Sequence, residues 1–220
     1  MLYLSRLKLN IRNQEARRDM TQPYELHRTI ENAFPHDPPR PNERVLFRLD
    51  YRPREKEWQV LVQSRYAPNW AFFQQEDRRG YLQAEPQVIA FEPRFFKDKT
   101  YHFRLLANPT FKTTNDKGHK VRFNLPSGEK QLDWLSRKLT AAGVMLLDIG
   151  IVQQGMRRSR KMGEDQQTHF AVLFEGILQV VDPNKLRLVV ESGIGSAKGY
   201  GFGLLSLAPT RGSRSTLRVA

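Results

Sequence analysis

The sequence predicts an α+β protein made of two tandem ferredoxin-like (RRM-like) β-α-β-β-α-β domains. Three observations predict it. Short runs of alternating polar and apolar residues recur along the chain, as half-buried strands require. Apolar stripes at helical spacing interrupt those runs at matching places in the two halves. The length, 220 residues, accommodates two small units that each bury a core.

Arg6-Leu7-Lys8-Leu9 alternates and marks the first strand. The segment after it, with Arg12, Arg17 and Arg18, reads as a basic loop. Pro23 suits the first position of a helix, where its missing N–H costs nothing. Leu26, Ile30, Ala33 and Phe34 then form one apolar stripe, ended by the four prolines between Pro35 and Pro41. Val45, Phe47, Leu49 and Tyr51 alternate with Arg48, Asp50 and Arg52; Trp58, Val60 and Val62 alternate with Gln59 and Gln63. The polar stretch Pro53 to Glu57 joins them as a hairpin loop. A shorter helix around Pro68 to Gln74 and a strand at Gln87 to Phe91 complete a first domain, 1–93.

The second domain, 94–209, repeats the theme. Strands are expected at Tyr101 to Leu106 and Val121 to Leu125. Leu132, Leu135, Leu139 and Ala142 stripe a helix. Strands follow at Val144 to Val152 and His169 to Val180, then a helix marked by Leu186, Val189 and Val190, then a strand at Leu204 to Leu207. The tail 210–220 carries three arginines without periodicity and reads as a basic flexible extension.

Composition narrows the function. With 36 Lys and Arg against 23 Asp and Glu, the net charge is +13, which favours a polyanionic partner and above all nucleic acid. The absence of cysteine excludes a disulfide scaffold, a thiolate zinc site and a cysteine nucleophile. The N-terminus reaches Arg6 before a signal-peptide core forms, and the apolar run from Val144 to Val152 is broken by Asp148, so a cytoplasmic protein without a membrane anchor is expected.

Three segments carry chemistry. Gly193 to Gly203 holds Gly193, Gly195, Gly199, Gly201 and Gly203, and glycines let a backbone approach a ligand and turn N–H groups toward an anion. It is not a Walker loop, because no Gly-Lys-Ser/Thr follows at the required distance, nor a dinucleotide fingerprint, because Lys198 stands three after Gly195 and a strand follows instead of a helix. Lys198-Gly199-Tyr200-Gly201-Phe202 matches the opening of an RNA-recognition strand motif, after which Gly203 and Leu205 depart from it. The second segment, Gly155 to Gly163, packs Arg157, Arg158, Arg160 and Lys161 into five residues and reads as a basic hairpin finger whose arginine forks pair with phosphates. The third is Tyr24-Glu25-Leu26-His27-Arg28. Tyr24 and His27 share a helical face beside the apolar stripe, and an imidazole can give or take a proton near neutral pH. The other histidines, His36, His102, His119 and His169, have no metal-ligand spacing, so no metal or other cofactor is expected.

The stretch Gly193 to Pro209, GIGSAKGYGFGLLSLAP, resembles the C-terminal glycine-rich loop of the CasE family of CRISPR-associated endoribonucleases. The likeness extends to the N-terminal strand, to Pro23-Tyr24-Glu25-Leu26-His27-Arg28 and to Ala107-Asn108-Pro109, and so covers nearly the whole chain in order. The resemblance implies two ferredoxin-like domains and metal-independent cleavage of CRISPR precursor RNA within each repeat. The ribose 2′-OH attacks the adjacent phosphate and leaves a 2′,3′-cyclic phosphate and a 5′-OH. It implies the repeat stem-loop and the other subunits of a type I-E (Cascade) surveillance complex as partners. On this expectation His27 is the principal proton-transfer residue, Tyr24 its partner and Lys198 a charge stabiliser or phosphate anchor. Arg157, Arg158, Arg160 and Lys161, with the loop glycines, grip the stem through shape and phosphates, since side chains do not read the deep groove of A-form RNA. A binding-only tandem RNA module explains the charge, the fold and the glycine loop equally well; only Tyr24 and His27 speak for chemistry. A nucleotide-using enzyme lacks both a Walker pattern and an acidic metal cluster.

Overall fold

The computed structural model describes residues 1–34, 44–114, 116, 118–125, 128–159 and 167–210. The proline segment from Pro35 to Pro41, the cations Arg160 and Lys161, and the tail beyond 210 lie outside the described residues.

β1 (Leu2–Leu9) turns Leu7 and Leu9 inward, as its alternation requires. α1 (Gln14–Thr21) follows where a basic loop was expected. It has no apolar stripe to reveal it. Asn13 caps it by accepting from the Ala16 N–H. Asp19, fully buried, accepts from Thr29 Oγ1 at 2.6 Å and Tyr81 OH at 2.9 Å. α2 (Pro23–Glu31) buries Leu26 and Ile30, and Ala33 and Phe34 continue the buried stripe in the turn beyond. β2 (Leu46–Arg52) and β3 (Glu57–Ser64) form the expected hairpin. The expected helix near Pro68 is instead a 3-10 turn at Trp70–Gln74, which seats Trp70 and Phe73 in the core. β4 (Gln87–Phe91) closes a sheet of order β2-β3-β1-β4, antiparallel throughout.

β5 (Thr100–Ala107) opens the second sheet. The expected strand at Val121 is β7 (Lys120–Asn124), and it joins no main sheet. It pairs with β6 (Thr110–Thr114) as a separate hairpin carrying the exposed, stacked pair Phe111 and Phe123. α3 (Gly128–Ala141) buries Trp134, Leu135 and Leu139. β8 (Val144–Ser159) runs seven residues past its expected end at Val152, and β9 (Gln167–Val180) pairs with it along its length. α4 (Pro183–Ser192) and β10 (Leu205–Pro209) finish a sheet of order β10-β5-β9-β8. Each four-stranded sheet thus has the ferredoxin-like order, its last strand beside its first.

The two units pack on each other. Leu2 of β1 belongs to the core beneath α3 and α4, with Phe91 of β4 against it. Arg48, 2% exposed, pairs with Asp50 at 2.9 Å and donates to the carbonyls of Arg104 and Leu204, both at 3.2 Å. A guanidinium of the first sheet therefore satisfies backbone acceptors of the second, at the exit of the glycine loop.

Candidate active site

The catalytic candidates begin on α2. Gln22 precedes it without a side-chain cap, and Pro23 at the first position has no N–H to satisfy. The Tyr24 N–H donates instead to Ser159 Oγ at 3.1 Å, at the far end of β8. One turn on, the His27 imidazole stacks nearly parallel on Phe47 of β2, 5.9 Å between centroids and 6° between planes. Its Nδ1 lies 3.8 Å from Glu31 Oε1, the next carboxylate along the helix. The ring, 27% exposed, is packed on one face against Phe47 and turns Nδ1 toward the Glu31 carboxylate.

The loop from Gly193 to Gly203 leaves the end of α4 and folds over this helix. Positive φ at Gly193, Gly195, Ala197, Gly201 and Gly203 bends it repeatedly. At Gly203, φ is 91° and an added Cβ would stand 2.7 Å from the Ile194 carbonyl oxygen. The loop closes there: the Ile194 N–H donates to the Gly203 carbonyl, and the Gly203 N–H to that of Leu106. Lys198 to Tyr200 form a 3-10 turn, so the RNA-recognition motif expected as a strand is not one. Left-handed Ala197 and Gly201 bracket it, and strand pairing starts only at Leu205. A Cβ on Gly199 would lie 3.5 Å from both Cδ2 and Nε2 of His27, so the loop meets the imidazole edge at this residue, and the absent side chain leaves that edge uncovered.

Lys198 adjoins that contact, yet its Nζ donates to the Ser192 carbonyl at 2.6 Å, clipping the loop to the end of α4. Burial, and then the nearby charges of Arg44 and Lys138, hold its pKa below the usual lysine value. Beyond Lys198 an aromatic wall continues: Tyr24 to Tyr200 at 6.2 Å, Tyr200 to His169 at 4.5 Å, His169 to Phe202 at 5.8 Å. Asn108 bonds His169 Nδ1 at 3.2 Å, and burial pushes the His169 pKa down.

The basic finger grows out of the β8–β9 hairpin, and its Arg160 and Lys161 lie outside the described residues. Arg157 and Arg158 are strand residues of β8, opposite His169 and Thr168. Arg157 is half-buried with its Cζ 6.0 Å from the Phe202 ring centroid, and burial lowers its pKa; Arg158 is exposed. Tyr24, His27, Gly199 and Lys198 therefore converge, Arg157 joins them through Phe202, and Arg158 stands further out. Phe47, Ser159, Tyr200 and His169 complete the surroundings without having been singled out for them. Tyr200 lay inside the glycine motif, a usable signal. The others look locally like ordinary strand residues.

An open cleft of about 510 Å³ borders α2, lined in part by Arg18, Tyr24, His27, Arg28, Glu31 and Arg78. An imidazole with Nδ1 facing a carboxylate, its Nε2 edge beside a backbone turn and a phenol one helical turn away, can move protons at a phosphodiester. Among the described residues, no three His, Cys, Asp or Glu side chains are grouped to hold a metal ion, and no helix is long and apolar enough to cross a membrane.

The family described as "CRISPR associated protein" matches residues 2–209. The chain is 35% identical over 219 residues to the CRISPR-associated endoribonuclease Cse3 of Thermus thermophilus, covering 94% of this chain and all of that one. It is 29% identical over 194 residues to the CRISPR system Cascade subunit CasE of Escherichia coli K12, covering 84% and 92%. Thermus thermophilus Cse3 bound to an RNA representing a pre-cleavage complex superposes with a TM-score of 0.81, at 33% identity over 94% of this chain and 99% of that one. The fold, the glycine loop over the Tyr24–His27 helix and a match along nearly the full length agree, and the chain belongs to this family of CRISPR-associated proteins.

Proposed function

We propose that this protein is an endoribonuclease that cuts CRISPR precursor RNA within each repeat, without a metal ion, and supplies the mature guide RNA to a Cascade-type surveillance complex. The observation that carries the proposal is the meeting of the His27 Nε2 edge with Gly199 of the glycine loop, in a chain of net charge +13. The named activity of the Thermus relative and the Cascade membership of the Escherichia relative support it. In the reaction the 2′-oxygen bonds to phosphorus as the bond to the 5′-oxygen breaks. The 2′-OH loses its proton and the leaving 5′-oxygen gains one. His27 is the principal proton carrier, Tyr24 orients or donates beside it, and Lys198 supplies positive charge to the phosphorane or anchors the phosphate. Arg157, Arg158, Arg160 and Lys161 and the glycines of the 193–203 loop hold the repeat stem. The chain divides into 1–93, carrying the Tyr24–His27 helix, and 94–209, carrying the loop and the basic strand. Its site of action is the cytoplasm.

The test incubates wild type and His27→Ala with an end-labelled repeat hairpin in excess EDTA, scoring fragment ends and binding together. Wild type leaves a cyclic phosphate, while His27→Ala binds and barely cuts. Equal cutting by both removes His27 from the mechanism. Loss of wild-type cutting in EDTA overturns metal independence. Tight binding with no cutting by either, with or without EDTA, establishes the binding-only module instead.

A further inference from the structure

We propose that Ser159 is a positioning residue for cleavage: its hydroxyl closes the N-terminus of α2 and so sets Tyr24 and His27 against the glycine loop. The inference rests on the assignment of cleavage to His27 made above.

The first N–H groups of any helix lack intrahelical acceptors, and a local Ser, Thr, Asp or Asn just ahead of the helix supplies one. Here Gln22 holds that place and contributes no side-chain bond, and Pro23 has no N–H. The first donor in need is the N–H of Tyr24, itself a site residue. Its acceptor, Ser159 Oγ at 3.1 Å, comes from the other sheet. Ser159 is 2% exposed, so water does not readily replace it. The bond fixes the Tyr24 backbone in space. His27, three residues on, is carried by the same rigid turn and meets Phe47 on one side and Gly199 on the other.

Ser159 directly follows Arg157 and Arg158 on β8 and pairs opposite Gln167 of β9. One strand thus presents cations to the RNA and holds the helix that bears the proton-transfer residues. Grip on the substrate and placement of the catalytic helix thus fall to neighbouring residues of a single strand. Ser159→Ala removes only an oxygen and leaves the β8–β9 backbone pairing in place.

The experiment compares full-length wild type, Ser159→Ala, Ser159→Thr and His27→Ala with a labelled repeat hairpin. It measures single-turnover cleavage at saturating protein, Kd for the RNA, and amide hydrogen exchange across 14–34. Ser159→Ala is expected to cut roughly fivefold more slowly at saturation, the factor a lost helix cap of typical strength produces. Its Kd stays within about twofold of wild type, and α2 exchanges faster. Ser159→Thr, which keeps the hydroxyl, cuts at the wild-type rate. Ser159→Ala cutting at full rate while His27→Ala is inactive overturns this proposal alone. A raised Kd with an unchanged saturating rate makes Ser159 an RNA contact, and a slower rate with unaltered α2 exchange places its effect elsewhere; either overturns it. Equal cutting by wild type and His27→Ala overturns the catalytic assignment beneath it, whatever Ser159→Ala does.

Discussion

Gly199 and His27 meet edge to edge: a methyl group on Gly199 would rest 3.5 Å from Nε2 and equally near Cδ2. That is ordinary contact distance, and Gly199 has no positive φ, so alanine fits the backbone. Gly199→Ala is therefore expected to fold normally and bind RNA while cutting on the order of tenfold to a hundredfold more slowly, because the methyl covers the nitrogen that handles protons. Saturating cleavage rates, with thermal unfolding as control, check this. Unimpaired cutting by Gly199→Ala would show that the reacting phosphate does not approach His27 from the loop side.

Gly203→Ala should behave differently. Its φ of 91° is hostile to a side chain, and the new Cβ would stand 2.7 Å from the Ile194 carbonyl oxygen. Backbone has to move, so stability falls by more than ~1 kcal/mol, and both cutting and binding decline as the loop opens. Denaturant midpoints separate this variant from Gly199→Ala.

Arg48 joins the sheets by donating to the Arg104 and Leu204 carbonyls while paired with Asp50. Removing one member of a buried pair strands the other, so Arg48→Met is expected to cost about 3–5 kcal/mol. Asp50 keeps Arg104 within 3.7 Å, which moves the loss toward the lower end. An unchanged thermal midpoint would refute this role.

Lys198 makes a pH prediction. Burial and the charges of Arg44 and Lys138 disfavour its ammonium, so the charge is lost at a lower pH than on a free lysine. Cleavage that needs that charge falls on the alkaline side, and Lys198→Arg moves the fall to higher pH. The stability sign is opposite. Between the folded and unfolded pKa values the unfolded chain binds more protons, so folding gains as pH rises through that window. A pH–rate profile identical in wild type and Lys198→Arg would remove Lys198 from the chemistry.

Arg158, exposed on β8, is expected to weaken RNA binding by about 1–3 kcal/mol when changed to alanine, and to reduce the slope of log K against log salt by about one. Arg157→Ala should cost stability as well, since its side chain lies over Phe202. Salt-independent binding across the two variants would count against phosphate contacts here.

Legibility in the sequence followed the strength of local pattern. Phe47 and Val60 advertised their strands by alternation, and Leu26 and Ile30 their helix by spacing. α1 escaped notice because it has no apolar stripe and is held by Asp19 buried against Thr29 and Tyr81, contacts that cross the chain; the local Asn13 cap was a usable signal. The Trp70 helix tightened to a 3-10 turn because its aromatics pack inward. The β6–β7 hairpin was half seen, since pairing partners are not written in one strand. Lys198-Gly199-Tyr200 kept its motif but lost its strand geometry to the left-handed residues on either side.

By itself, the sequence determined the strand and helix pattern, the excess of positive charge, and the residue types able to move a proton or meet a phosphate. These follow from side-chain period and chemistry within a few residues, and they pointed to Tyr24, His27, Lys198 and the glycines. Only the tertiary structure decided who meets whom. Phe47 lies under His27, Gly199 beside it, Ser159 at the head of its helix and Ser192 beneath Lys198. Gly199–His27 and Ser159–Tyr24 join the two sheet-bearing halves, and Phe47–His27 joins a strand and a helix twenty residues apart within one of them. The physical reason is that a hydrogen-bond donor or an aromatic face specifies what kind of partner it needs, while the packing of two sheets specifies which partner arrives.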